Sequence, residues 1–455
     1  MSTSVPRTYR LTERRRRLES VKDSAPPRHR APDDSPLANI GPNWFASVMG
    51  TGIVANAAIA LPYQFPGQRV AATVVWLLAS AWLTTVTICF AAHWLRHRDR
   101  ARKHHTNPVM AQFYGAPPMA FLTIGAGALN FAPPYIGVDA AYTVALGLWF
   151  LGTATGLLTA VAIPYLMFTK HEVAADAPFA GWLMPVVPPM VSAATGAALI
   201  PHIAAGQPRE TMLLACYAMF GISLLATMVI LPQVWSKLVH HGVGAAAAVP
   251  TLWICLGPLG QSVTAAGNLG KVAPLALGAP VSTALDSFGL IYGVPVLGFA
   301  LLWIAIASAV TIRTVRNGMP FALTWWSFTF PVGTCVTGAA GLATRTELPG
   351  LEVLTMAMYG LLLSAWLLVG VRTARGIVTG KLLAAPPAPP APPAAGPQPV
   401  PTAVGRAAIP RVGDGESLLP IPGLTPVFRM SAPPQQTESW SPPPPLPRRP
   451  TPSQR

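Results

Sequence analysis

The chain has 455 residues, of which 52% are hydrophobic and 10% are charged. A soluble domain carries roughly 25% charged residues, so this composition excludes an ordinary soluble globule and favours an integral membrane protein. The net charge of +15 indicates a basic cytoplasmic face rather than a nucleic-acid partner, because cytoplasmic loops collect Lys and Arg. The 4 cysteines lie in separate apolar segments, so neither a disulfide framework, a metal site nor a cofactor is expected.

Three parts follow one another along the chain. Residues 1–40 are predicted to be a basic, disordered cytoplasmic tail without a cleavable signal peptide. Residues 41–383 are predicted to form a membrane domain. Residues 384–455 are dominated by Pro, Ala and Gly, a composition that favours extended polyproline conformations and disorder. For this cytoplasmic segment, a plain disordered tail and a docking site for an unknown proline-recognising partner stay open as alternatives.

Ten apolar segments lie between Gly41 and Leu383, and most reach the ~20 residues needed to cross a bilayer. They are predicted at 43–61, 70–94, 108–130, 139–168, 180–203, 211–235, 248–268, 281–312, 320–342 and 351–375. Because the gaps are short, consecutive segments are expected to be antiparallel neighbours. The predicted fold is an all-α integral membrane protein with ten transmembrane helices, arranged as five helical hairpins around a central pore.

Every second segment is interrupted by glycine or proline. The interruptions are Gly50-Thr51-Gly52, Pro117-Pro118, Pro188-Pro189, Gly257-Pro258-Leu259-Gly260 and Pro331. A proline removes a backbone donor and clashes with the preceding turn, and such backbone is tolerated at membrane depth where it is covered by protein or lines a cavity. The odd segments are therefore predicted to surround a pathway and the even ones to face lipid. The pore-lining candidates are Gly50, Thr51, Gly52, Pro117, Pro118, Pro188, Pro189, Gly257, Pro258, Gln261, Ser262, Thr329 and Pro331.

The distribution of basic residues predicts the orientation. With both termini in the cytoplasm, the cytoplasmic loops hold Arg96, Arg98, Arg100, Arg102, Lys103, Lys170, Lys237, Arg313 and Arg316. The external loops then hold Arg69, Arg209, Lys271 and Arg345. This asymmetry is typical of cytoplasmic loops, and it predicts that both termini are cytoplasmic. The expected location is the plasma (cell) membrane, as a multi-pass protein.

The centres of the apolar segments contain no Asp, Glu, Lys or Arg. Proton-coupled carriers usually place an ionisable relay there, so passive passage is predicted. The free N–H groups of interrupted helices suit anions, whereas cations call for acidic rings. Hydroxyls such as Ser262 and Thr329 are either neutral donors to an anion or bonded back to their own helix. An enzyme is disfavoured, because the segments contain no Ser/His or Glu-x-x-His set.

A motif in the first apolar segment reads Asn43-Trp-Phe-Ala-Ser-Val-Met-Gly-Thr-Gly-Ile-Val54. This motif resembles the first helix of the tellurite-resistance/dicarboxylate transporter family. Weaker similarities are Val186-Val-Pro-Pro-Met-Val191, Gly257-Pro-Leu-Gly-Gln-Ser262 and Trp325-Trp-Ser-Phe-Thr-Phe-Pro331. The family includes the bacterial tellurite-resistance protein, the yeast malate permease and sulfite efflux pump, and the plant slow anion channels. The resemblance covers about residues 41–380 and implies five hairpins with an inner ring of kinked odd helices.

The resemblance also implies a gate and an assembly. In the better-understood members a phenylalanine on the ninth helix blocks the pore, and the matching position is Phe330, with Phe328 as the alternative. Family members often form homotrimers in the lipid bilayer, with one pore in each subunit. The leading function is a channel or uniporter for small inorganic or organic anions. The alternatives are a coupled carrier of C4-dicarboxylate (malate), sulfite or tellurite, and a membrane scaffold that acts through its proline-rich tail.

Overall fold

A computed structural model describes residues 35–384, in which the helices are joined by short loops and no strand is present. The all-α prediction is therefore confirmed for this part of the chain. The predictions for residues 1–34 and 385–455 lie outside the described residues. The α-helices, in chain order, are α1 (Phe45–Ala60), α2 (Gln68–Arg96), α3 (Arg98–Thr106), α4 (Ala116–Phe131), α5 (Pro133–Ile136), α6 (Val138–Thr169), α7 (Pro188–Gly196), α8 (Gln207–His241), α9 (Leu256–Val272), α10 (Val281–Arg316), α11 (Phe330–Thr346) and α12 (Pro349–Val378).

Six helical stretches of the described chain are long and apolar enough to cross a membrane. Five of them are the long helices α2, α6, α8, α10 and α12, whose most apolar windows are only 22% to 33% buried. Their exposed surfaces carry large apolar side chains such as Leu78, Phe150 and Ile291, which is the surface that a hydrocarbon environment favours. The sixth stretch, Ala246–Leu275, differs because 83% of its window is buried.

The five shorter helices α1, α4, α7, α9 and α11 form the buried centre. Each packs against the next in the order α1, α4, α7, α9, α11, and α11 returns to α1, so the five close into a ring. Each also packs against the long helix that follows it in the chain. The long helices thus surround the ring, and the side of each long helix that does not pack on the ring is exposed.

Short 3-10 helices precede most of the ring helices. The 3-10 helices are Pro36–Asn39, Pro42–Trp44, Met110–Gly115, Ala180–Leu183, Ile200–His202, Ala246–Cys255, Ala273–Leu275 and Leu323–Phe328. At four of the five predicted interruptions an α-helix begins within two residues of the proline or glycine, as α11 does at Phe330 beside Pro331. A proline in the first turn of a helix costs no hydrogen bond, since a backbone N–H at that position would have no partner within the helix.

The predicted interruption at Gly50-Thr51-Gly52 is wrong, because these residues lie within the continuous helix α1. Their glycines permit close helix contact instead. A Cβ on Gly50 would collide with Thr329 of the adjacent ring segment, and a Cβ on Gly52 would lie 2.9 Å from Cγ2 of Thr123 in α4. Small residues at such positions let membrane helices approach closely.

The residues just before α1 are anchored by histidine. Nδ1 of His93 lies 2.8 Å from the carbonyl oxygen of Leu37, and its Nε2 lies 3.0 Å from Nε2 of His104. A carbonyl only accepts, so His93 donates from Nδ1 and accepts from His104. Burial lowers the pKa of His104 to about 4, which keeps its ring neutral near pH 7. Residues 36–40, predicted as tail, therefore pack onto the membrane domain.

Candidate functional site

A cavity of about 720 Å³ lies within the ring of short helices. We call it the wide cavity. Its walls are mainly the carboxyl-terminal halves of α1, α4, α7, α9 and α11, together with the first turns of α10 and Phe330 at the start of α11. Its polar lining consists mainly of uncharged side chains, which include Asn56, Thr123, Asn130, Thr195, Gln261, Thr264, Asn268 and Thr337. Such a wall offers neutral hydrogen-bonding groups to a solute that passes through it.

A second, much smaller space of about 20 Å³ lies among the amino-terminal parts of the same helices. We call it the narrow cavity. Apolar side chains such as Met49, Phe113, Met119 and Ile254 make up most of its wall. A space of this size holds about one water, and an apolar wall gives that water few partners.

Phe330 borders both cavities. It is the first residue of α11, it directly precedes Pro331, and it is only 2% exposed. Phe328 borders neither cavity, and its ring instead packs against the rings of Trp253 and Trp325, with centroids 5.4 Å and 5.7 Å away. Of the two phenylalanines, Phe330 therefore has the position that separates the two spaces.

Five of the predicted residues come together at the two cavities. Gly257, Pro258 and Pro331 join Phe330 in the wall of the narrow cavity, and Gln261 lies in the wall of the wide cavity. A Cβ on Gly257 would meet no heavy atom within 4 Å, which fits a backbone that faces open space. Gln261 is 4% exposed, and its Oε1 has no hydrogen-bond partner among residues 35–384.

The other candidates border neither cavity. They are Gly50, Thr51, Gly52, Pro117, Pro118, Pro188, Pro189, Ser262 and Thr329. The three hydroxyls donate to carbonyls of their own segments: Thr51 to Ser47 at 2.8 Å, Ser262 to Leu259 at 2.8 Å, and Thr329 to Trp326 at 2.7 Å. Such bonds are the common local alternative for hydroxyls in helices.

Sequence reasoning found Gln261 but missed the asparagine side chains of the wide cavity. Asn56, Asn130 and Asn268 each lie in the second half of a ring helix and line this space. An asparagine in an otherwise apolar segment is the signal that could have found them, because a buried amide requires a partner.

Comparison with known proteins identifies the class to which this architecture belongs. The profile of the SLAC1 family, described as voltage-dependent anion channel, matches residues 39–374. The chain belongs to this family of membrane anion channels and transporters, so the resemblance seen in the sequence is confirmed. The matched residues include all five ring helices and both cavities.

Several relatives span most of the chain. A sulfite efflux pump of Trichophyton rubrum is 30% identical over 351 residues, which cover 73% of this chain and 89% of the pump. An uncharacterized transporter of Methanocaldococcus jannaschii is 26% identical and covers 76% of this chain and 96% of its own. A Schizosaccharomyces pombe protein provisionally named for malic acid transport is 21% identical and covers 63% and 68%. The relatives are thus named as transporters rather than as enzymes.

Proposed function

We propose that this protein is a passive pathway for small anions through the plasma membrane, and that Phe330 is its gate. The observation that carries the proposal is the position of Phe330, which borders both the wide and the narrow cavity within one ring of helices. An apolar ring at such a constriction blocks solutes by size and by excluding water. A rotamer change of Phe330 would join the two spaces.

The topology proposed for this pathway has ten membrane crossings and both termini in the cytoplasm. Each of the ring helices, together with the 3-10 helix or turns before it, makes one crossing, and each long helix makes the return. The basic residues after α2 and α10, such as Arg98 and Arg313, then lie in the cytoplasm. The wide cavity opens to the outside in this topology, since the carboxyl ends of the ring helices point there.

The polar wall of the wide cavity supports an anion as the solute. Its amide and hydroxyl groups are neutral donors, while the charged side chains that line it, Lys271, Asp286 and Arg345, lie near helix ends. The described residues place no carboxylate in the wall of the narrow cavity. Cation pathways use rings of carboxylates, so this lining favours anions. The family's habit of assembly supports a homotrimer with one pathway in each subunit.

A coupled carrier of sulfite or a C4-dicarboxylate is the second candidate. The names of the fungal relatives, a sulfite efflux pump and a protein provisionally linked to malic acid, favour it. The lack of an ionisable side chain in the described walls of the narrow cavity favours the passive pathway, because proton coupling usually needs such a group within the membrane.

Reconstitution into liposomes separates the two candidates. We expect an imposed voltage to drive uptake of at least one anion from a panel of chloride, nitrate, sulfite and malate. A pH gradient alone, with voltage and anion concentrations balanced, should drive no accumulation of nitrate, which is fully ionised. Protonophore-sensitive uphill uptake of sulfite or malate under that condition, at pH values where each is fully ionised on both sides of the membrane, would favour the coupled carrier. Absence of flux for every anion, under voltage and under a pH gradient alike, would contradict both.

A further inference from the structure

Three charged side chains stand at the mouth of the wide cavity. Lys271 lies in the last turn of α9, Arg345 in the last turn of α11, and Asp286 in the second turn of α10. Among the described residues that line this cavity they are the charged ones. How these three groups interact therefore contributes directly to the electrostatic potential at this entrance.

Arg345 and Asp286 neutralise one another. The guanidinium donates from Nη1 to Oδ1 at 2.8 Å and from Nη2 to Oδ2 at 2.7 Å, and Nη1 also donates to the backbone oxygen of Asp286 at 2.5 Å. This is a bidentate pair of the kind in which arginine holds a carboxylate in a fixed geometry. The positive charge of Arg345 is thereby largely masked for a solute that enters the cavity.

Lys271 differs from Arg345, since no carboxylate of the described chain forms a salt bridge with it. An ammonium group is a compact point charge on a flexible stem. It can follow a small anion into the entrance without a fixed docking geometry. Of the two basic side chains that line the cavity, Lys271 therefore has an uncompensated positive charge and Arg345 a masked one.

We infer that Lys271 forms an anion-capture site at this entrance, and that Asp286 sets its strength by masking Arg345. This inference rests on the proposed function. It adds Asp286 as a residue that reduces anion entry, because Asp286 neutralises Arg345. The ligand class is any small inorganic or carboxylate anion, because recognition is by charge. Charges of one sign at a cleft raise the local concentration and the entry rate of the opposite ion. Removal of the Asp286 carboxylate should accordingly increase the entry of anions.

Four variants in proteoliposomes test the balance of charges. Asp286→Asn exposes Arg345 and should raise the initial anion flux from the side of the wide cavity roughly threefold at low salt. Lys271→Gln and Arg345→Gln should each lower it by about the same factor. The double variant Asp286→Asn/Arg345→Gln keeps the wild-type charge and should restore the wild-type flux. All differences should fade near 1 M salt, where the Debye length is about 3 Å.

The probe is the anion of the chloride, nitrate, sulfite and malate panel that gives the largest wild-type flux, and each variant is compared at equal amounts of folded protein. Wild-type flux with no dependence on the three charges would overturn the capture site while leaving the proposed function intact. A double variant that stays as slow as Arg345→Gln would also overturn it, since the pair would then act through structure. A wild type without flux would refute the proposed function itself.

Discussion

Replacement of Phe330 with alanine is expected to raise anion conductance about tenfold, the factor that a barrier lowered by about 1.4 kcal/mol gives. The ring borders the wide cavity on one side and the narrow cavity on the other, so its removal joins the two spaces into a wider passage. Single-channel or ensemble currents in planar bilayers measure the change. The protein should stay folded, because a side chain between two cavities has fewer packing contacts to lose than one in a filled core.

Phe328→Ala provides the matched control. Phe328 packs between Trp253 and Trp325 and borders neither cavity, so its truncation should leave conductance near the wild-type value and reduce stability by roughly 3–5 kcal/mol. If Phe328→Ala conducts better than wild type while Phe330→Ala does not, the gate is Phe328 rather than Phe330. A Phe330→Ala variant that loses comparable stability without gaining current would show that this ring only packs.

Gly260→Ala is expected to have the second large effect, on stability. Helices α9 and α11 cross closely at Gly260, where a Cβ would collide with the backbone nitrogen of Cys335 and lie 2.5 Å from the backbone carbon of Thr334. Backbone cannot rotate out of the way as a side chain can. Overpacking typically costs about 1–3 kcal/mol and sometimes more, and we expect the upper end of this range. A thermal-shift assay in detergent should show a lower apparent melting temperature.

Gly257→Ala is the control, one turn earlier on the same helix. A Cβ there would meet no heavy atom within 4 Å, because the residue lies in the wall of the narrow cavity. Its melting temperature should stay close to that of the wild type. Equal destabilisation by both substitutions would indicate a general cost of alanine in α9 and would contradict the close crossing at Gly260.

The long helices could be predicted from hydropathy alone. The segment predicted at 70–94 is the helix Gln68–Arg96, and the segment predicted at 281–312 is Val281–Arg316. The segment predicted at 211–235 ends later, at His241, because a helix can continue beyond the bilayer after its apolar stretch has ended. Hydropathy measures solvent preference, and these helices expose most of their surface, so their sequence reports directly on their environment.

The buried ring could be predicted only in outline. Proline and glycine indicated which segments form the ring. Glycine, however, can either interrupt a helix or permit close packing. Gly50 and Gly52 permit close packing within a continuous helix. Which side chains border a cavity depends on how the ring helices are rotated against one another, which no local pattern encodes. Phe330 could be predicted as the gate only through the family resemblance. That Asn56 and Asn268 line the wide cavity could be seen only in the tertiary structure.

The most direct measurement for an anion pathway through the wide cavity is chemical block at Gly267. This glycine lines the cavity, and a Cβ there would meet no heavy atom within 4 Å. In Gly267→Cys, a membrane-impermeant sulfonate thiol reagent adds bulk and negative charge to the cavity. Anion flux should fall to a small fraction of its starting value on modification, whereas Gly350→Cys, at the exposed start of α12, should be modified without loss. Complete modification of Gly267→Cys with undiminished flux would contradict the pathway.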